Sequence, residues 1–162
     1  MPPAPSPGSG PKSAPPPAAV ELRLATKDDA AQLLSWRNDP ATRAASLTDH
    51  PISPVDHYTW LEKTLRMETR TLWIAESGRQ AVGTVRLDTA NDRQELSWTV
   101  APDARGKGFG KAMVSAALDR TEGPIRARIR PENAPSRAIA RACGFTRVYL
   151  EGGVETWLFR LG

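Results

Sequence analysis

Apolar and polar side chains alternate from Val20 to Ala25, the period of a half-buried strand. Thr26 follows as an N-cap with Asp29 three positions on, in the manner of a capping box, and predicts a helix to about Trp36. Asn38-Asp39-Pro40 breaks it. Ser53-Pro54, a capping serine before a proline at the first helical position, opens a second helix that carries His57, Tyr58, Trp60, Leu61 and Leu65. Two strands follow, Thr71 to Glu76 and Ala81 to Asp88, joined through Gly78 as in a hairpin. After a turn at Ala90 to Arg93, a strand from Glu95 to Val100 places Leu96, Trp98 and Val100 on one face and Glu95, Ser97 and Thr99 on the other. Phe109, Ala112, Met113, Ala116 and Ala117 recur at helical spacing and predict a helix from about Gly108 to Thr121. Then come a strand, Ile125 to Arg130, and a short helix with Pro135 in its first turn and Gly144 just past its end. Two last strands, Arg147 to Glu151 and Thr156 to Leu161, flank Gly152-Gly153. The order β-α-α-β-β-β-α-β-α-β-β predicts a mixed α/β (α+β) fold.

The chemistry gathers between Val100 and Lys111, where a strand ends, a basic glycine-rich turn follows and a helix starts. The first N–H groups of a helix lack intrahelical partners, and the helix dipole makes that end positive, so the arrangement suits an anion. Gly106, Gly108 and Gly110 allow left-handed backbone angles and a close approach, while Arg105, Lys107 and Lys111 add charge. A dinucleotide fingerprint would need glycine where Lys111 stands, and the spacing Gly78 to Gly83 lacks the lysine of a Walker loop. Elsewhere Trp36 to Arg43 is dense in hydrogen-bonding groups, Arg37 and Asn38 among them, and reads either as a solvated helix end or as an acceptor loop. His57 shares a helix face with Trp60 and is either core packing or a pocket residue. Arg86 lies within a strand, on an open sheet face or aimed into a cleft.

Composition narrows the setting. The chain has 162 residues, 40% of them hydrophobic, enough for one domain with a real core. No apolar run reaches the ~18 residues of a membrane span. Residues 1 to 19 hold eight of the fifteen prolines and read as a disordered tail without the apolar region of a signal peptide, leaving 20 to 162 as the folded domain. The single cysteine, Cys143, permits no internal disulfide and fits a cytoplasmic protein. Twenty-two basic residues against 18 acidic ones, without blocks of like charge, are explained by a local anion site as well as by a nucleic-acid face. Neither a nucleic-acid nor a membrane partner is expected, no metal site is read, and a homodimer is allowed.

The motif Arg-Gly-x-Gly-x-Gly at Arg105 to Gly110 resembles the pyrophosphate loop of the GNAT superfamily of acetyl-CoA dependent N-acetyltransferases. Asn133, Ser136 and the pair Gly144-Phe145 resemble that family's second motif, and the resemblance covers about residues 20 to 162. It implies a central mixed sheet, flanked by helices, that splays after the strand ending at Val100. It implies acetyl-CoA as acyl donor, held by Val100, Arg105, Gly106, Lys107, Gly108, Phe109, Gly110 and Lys111, with Asn133 and Ser136 bordering the thioester. In the first half Trp36-Arg37-Asn38, Arg43, Ser53 to His57 and Trp60 resemble a branch acetylating amino sugars on nucleotide carriers, as in pseudaminic acid biosynthesis. That likeness implies a small-molecule amine acceptor, met by Arg37, Asn38 and His57; Arg86 joins them as a candidate if its strand faces a cleft.

For the base that frees the amine lone pair, Glu95 is the candidate, directly or through water; the alternative is a surface carboxylate. A glutamate common in peptide-acetylating members is replaced by Arg128, which argues against a peptide acceptor, and the family's usual acid, a tyrosine, is replaced by Ala140. Two other functions stay open: a protein acetyltransferase, and an acyl-CoA binding module without activity.

Overall fold

The computed structural model describes residues 19–160, so the proline-rich stretch, Ala19 excepted, lies outside the described residues. Its strands are β1 (Glu21–Leu24), β2 (Arg70–Ser77), β3 (Gln80–Ala90), β4 (Arg93–Val100), β5 (Ile125–Ile129), β6 (Thr146–Glu151) and β7 (Val154–Phe159). Its helices are α1 (Ala30–Asn38), α2 (Pro40–Ala45), α3 (Pro54–Arg66), α4 (Phe109–Leu118) and α5 (Ala134–Ala142). The strands form one mixed sheet in the order β1-β2-β3-β4-β5-β7-β6, with β4 and β5 parallel and the other neighbours antiparallel. The expected order holds with one addition. Asp39-Pro40, read as a break, also starts α2: the Asp39 side chain caps the Thr42 N–H and Pro40 takes the first helical position.

Alternation along the strands sorts their side chains between two faces. Gly83 pairs with Val100 across β3 and β4, and a Cβ on Gly83 would lie 2.7 Å from the Met113 sulfur of α4. That face therefore carries Val85, Leu96, Trp98 and Val100 and packs on α4 and α5. Met113, Val114 and Ala117 are wholly buried there, and the Phe145 ring packs at a tilt against Trp98, centroids 6.1 Å apart. The opposite face buries Leu72 and Ile74 near α1 and α3. Beyond β2 it carries Thr84, Arg86, Asp88, Glu95 and Ser97, all half-buried. On β5 and β7 the inner face is apolar or ion-paired: Trp157 packs under the Arg141 guanidinium, and buried Glu155 lies 2.9 Å from Arg137 and 3.0 Å from Arg147.

The first turn shows how local sequence fixes the entry into the helical layer. The Thr26 hydroxyl accepts the Asp28 N–H, Asp29 returns a bond to the Thr26 N–H, and Arg23 grips both Asp29 oxygens at 2.7 and 2.8 Å. Asp29 is buried, and the Arg23 guanidinium holds its carboxyl below the usual carboxylate range. A carboxyl depressed in the folded state stabilises above its unfolded pKa of about 3.9 and loses that contribution as pH falls through the folded value. Asp29→Asn should thus cost about 1–2 kcal/mol at neutral pH. In thermal melts the gap between the variant and the parent protein should shrink below about pH 4.

Candidate functional site

The sheet opens in its middle. β4 and β5 pair only at Gln94 with Ile125 and Glu95 with Arg126, after which the two parallel strands part. The expected splay is there, but it begins five residues before Val100 rather than after it. The Ala101 N–H donates to Val82 across β3 at 2.8 Å. By alternation, the backbone groups of Val100 and Trp98 point the other way, into the gap. A sheet edge with free N–H and C=O groups inside a domain is a place for a strand-like ligand with amides of its own.

The basic turn closes the far end of β4. Gly106 and Gly108 sit at φ +74° and +84°, the left-handed region that favours glycine, and a Cβ on either would have no atom within 4 Å. Gly108 is the N-cap of α4 and no side chain caps that end, so the first N–H groups of Phe109, Gly110 and Lys111 line an open cradle. Gly110 serves packing instead. A Cβ there would strike Ile139 of α5 and come within 3.2 Å of Val100 Cγ2, so this glycine lets α4 pack against α5 and β4. Phe109 is half-buried against the core. The Lys107 ammonium donates to the Asp103 carbonyl at 3.2 Å, and Lys111 is exposed.

The Arg105 side chain is engaged elsewhere. Its guanidinium turns from the cradle to Asp39 at 3.0 Å and Thr42 at 2.8 Å, at the start of α2. That contact holds the Asp39 carboxyl below its ordinary range. The other end of α2 reaches the β5 side of the gap, where the Asn133 amide donates to the Ala45 carbonyl at 3.4 Å and Arg130 to Leu47 at 3.0 Å. α2 thus spans the gap from bank to bank. Asn133 also caps α5 by accepting the Ser136 N–H at 3.1 Å, which places both residues at the wide end of the opening. Asp39 and Thr42 lie within the polar stretch Trp36 to Arg43 but are not singled out by sequence, and neither are Arg126 and Arg130. Asp-Pro as an N-cap and first-turn pair was the signal for the first two.

The residues expected on the acceptor side have mixed positions. Asn38 gives its amide to Ile52 O at 2.8 Å and accepts Ile52 N–H at 2.9 Å, so it holds the loop ahead of α3. Arg37 donates to the Thr48 carbonyl and hydroxyl at 2.8 and 2.9 Å. Arg86 lies on the open face, tied to Asp88 at 2.8 Å; Asp88 is held in turn by Arg70 at 2.5 Å. His57 is corrected to a packing role. It is 3% exposed, stacks on Trp60 and donates Nε2–H to the Ala30 carbonyl at 3.1 Å. Burial lowers its pKa, so it is a neutral ring packed between α3 and α1.

Glu95 stands at the last β4–β5 pair, at the closed end of the gap. Arg128 grips its two oxygens at 2.6 and 3.2 Å and Arg126 lies 3.0 Å from one of them. The Glu95 contact raises the Arg128 pKa, keeping that guanidinium charged. Both carboxylate oxygens are occupied, and Arg128, 44% exposed, is the partner able to leave. Ala140 is wholly buried and offers no proton. Burial pushes the Cys143 thiol up, away from nucleophilic use. No helix among the described residues is long and apolar enough to cross a membrane.

The sequence profile of the Acetyltransferase (GNAT) domain family matches residues 19–146. A mycothiol acetyltransferase from Nocardioides sp. is 31% identical over 135 residues, 82% of this chain and 40% of that protein. The chain spans between 24% and 40% of the length of the curated relatives it matches. Among solved structures, a spermidine N-acetyltransferase from Vibrio cholerae in complex with CoA and spermine superposes with a TM-score of 0.76. It is 18% identical, with 87% of this chain and 95% of that one covered. AAC(6')-Ib in complex with paromomycin and acetyl-CoA superposes with a TM-score of 0.75 at 20% identity, covering 88% and 93%. At these identities the two structures speak for the fold.

Proposed function

The chain belongs to the GNAT acetyltransferase domain family, and from that premise we propose that it transfers an acetyl group from acetyl-CoA to the primary amine of a small molecule. The observation that carries the proposal is the gap between β4 and β5, edged by the backbone of Trp98 and Val100 and ending in the glycine cradle. The residues fit the donor. The cradle at Gly106 and Gly108 is open where any Cβ would protrude, which suits a pyrophosphate, and the free edge of β4 suits the amides of a pantetheine arm. Acetyl-CoA supplies a thioester there, whose thiol, pKa about 8.5, is a tolerable leaving group without a dedicated acid.

The chain's own groups do the rest. The N–H groups of Trp98 and Val100 point into the gap and are the donors for a developing oxyanion. Glu95 takes the amine proton. For that, Arg128 must leave it, and an acceptor arriving as an ammonium brings the same charge to the same carboxylate. Arg105 contributes by fixing α2 over the gap, with Lys111 the freer cation beside the cradle.

The open face beside Glu95 carries Arg70, Arg86, Arg126 and Arg128 against Asp88 and Glu95, an excess of positive charge. For this reason we place a nucleotide-linked amino sugar first among the acceptors. The named structures set the comparison: the spermidine N-acetyltransferase acts on an amine by name. The test is a panel of amines with acetyl-CoA, read by the thiol of released coenzyme A. Release with one or more small amines and not with peptides is the expected result. Tight acetyl-CoA binding without release for any acceptor would leave a binding module instead.

A further inference from the structure

We propose that Arg37, Arg43 and Arg130 form a receptor for an anionic group, a phosphate or carboxylate, carried by the amine acceptor itself. The inference rests on the reading that the chain acetylates a small amine, and it names what else that amine must carry.

Two guanidiniums, those of Arg37 and Arg130, converge on one short segment, and the charge of Arg43 is felt at Arg37. Arg37 ends α1, Arg43 ends α2, and Arg130 follows β5. Arg37 donates to Thr48 O at 2.8 Å and Arg130 to Leu47 O at 3.0 Å, so both address the same turn of chain from opposite sides. Among the described residues, none of the three has a carboxylate within 4.0 Å. Arg37 Nη1 and Arg43 Nε are buried and have no hydrogen-bond partner. Two other buried guanidinium nitrogens, Arg126 Nε and Arg137 Nε, also lack a well-directed bond, but each lies within 3.0 Å of a glutamate oxygen. Arg37 Nη1 and Arg43 Nε are the two left with neither a bond nor a carboxylate close by. Burial and the nearby Arg43 charge both press the Arg37 pKa down.

Such an arrangement is costly in a protein that does nothing with it. A buried N–H without a partner is unfavourable, and so are two like charges held close together. An incoming anion supplies the missing charge and the missing acceptors together, and guanidinium forks match phosphate and carboxylate oxygens in geometry. The place is also right. α2 spans the gap, Arg130 and Asn133 fix its C-terminal end on the β5 bank, and the cluster stands there, across from the glycine cradle. An amine anchored by its anionic end in this cluster has its nitrogen free to enter the gap. A polyamine, cationic along its length, would meet repulsion instead.

The test uses the full chain with acetyl-CoA and a matched pair of acceptors, glucosamine and glucosamine 6-phosphate. The phosphorylated member should be preferred by about tenfold or more in kcat/KM, the difference residing in KM. Arg43→Ala should collapse the preference and Arg43→Lys, which keeps the charge, should restore part of it. Equal efficiency for the two acceptors, or a preference that survives Arg43→Ala, overturns the inference. Should neither sugar be acetylated, the receptor is judged by binding alone. Inorganic phosphate is titrated with coenzyme A saturating, so that the glycine cradle is filled. A dissociation constant about tenfold weaker in Arg43→Ala upholds the receptor while the amine reading fails. Phosphate that binds neither protein, or both alike, overturns the receptor.

Discussion

Replacing Gly108 by aspartate should weaken acetyl-CoA binding by about 10²-fold or more while leaving the fold in place. Gly108 holds φ +84° at the N-cap of α4, and the space its Cβ would enter is empty for 4 Å around. That emptiness makes the residue a binding determinant and not a packing one. A carboxylate there would stand against the phosphates with like charge in a partly screened setting, a penalty of about 3 kcal/mol or more. Aspartate tolerates the left-handed conformation better than most residues, so the strain is of order 1 kcal/mol. Calorimetry with acetyl-CoA and a thermal melt read the two effects separately. Gly110→Ala is the informative contrast. Its Cβ meets Ile139 and Val100, so the loss should appear chiefly as stability, about 1–3 kcal/mol, through forced repacking of α4 against α5. An unchanged affinity in folded Gly108→Asp would remove the cofactor assignment altogether.

The difference between these two glycines marks what could be read from the chain. A turn with glycines at alternate positions announces a backbone that must bend left and stay bare, and Gly106 and Gly108 do both. Nothing local distinguishes Gly110, whose neighbours Ile139 and Val100 come from other elements. The capping signals were legible for the same reason as the turn: Thr26 with Asp29, Ser53 with Pro54, and Asn133 with Ser136 each act within four residues. Asp39-Pro40 was equally local but ambiguous, since the pair that ends α1 also begins α2. Side-chain partners across the sheet were out of reach. Glu95 and Arg128 are 33 positions apart, and their meeting depends on the parallel register of β4 and β5, which no periodicity encodes. Arg105 was assigned to the anion by motif, yet it bonds to a residue 66 positions earlier. Asn38 reads as a substrate group because it is polar and sits among polar neighbours; in the fold its amide binds the backbone of its own loop on both sides, while Arg37 spends only Nη2 there. Polar density alone does not tell a loop that recognises a ligand from one that recognises itself.

Glu95→Gln should lower turnover by about 10²-fold or more and leave acetyl-CoA affinity nearly unchanged. The substitution keeps shape and one acceptor oxygen, so Arg126 and Arg128 retain a partner, but it removes the basicity. The pH profile carries the argument. An acceptor amine is mostly protonated at neutral pH, and the enzyme must remove that proton. As pH rises toward the amine's own pKa, more acceptor arrives neutral and the loss in Glu95→Gln should shrink. A purely structural role predicts otherwise. Glu95 sits at the last β4–β5 pair, and if its work is to pin the two strands through its arginines, Glu95→Gln and Arg128→Ala should do similar damage to melting temperature and turnover alike, with no dependence on pH. The base role separates them: Arg128→Ala leaves the carboxylate in place with one side open, so its profile should lack the pH-dependent loss seen in Glu95→Gln. Full turnover in Glu95→Gln from pH 6 to 9 would assign deprotonation to water, since His57, the other candidate, is buried and already bonded to Ala30.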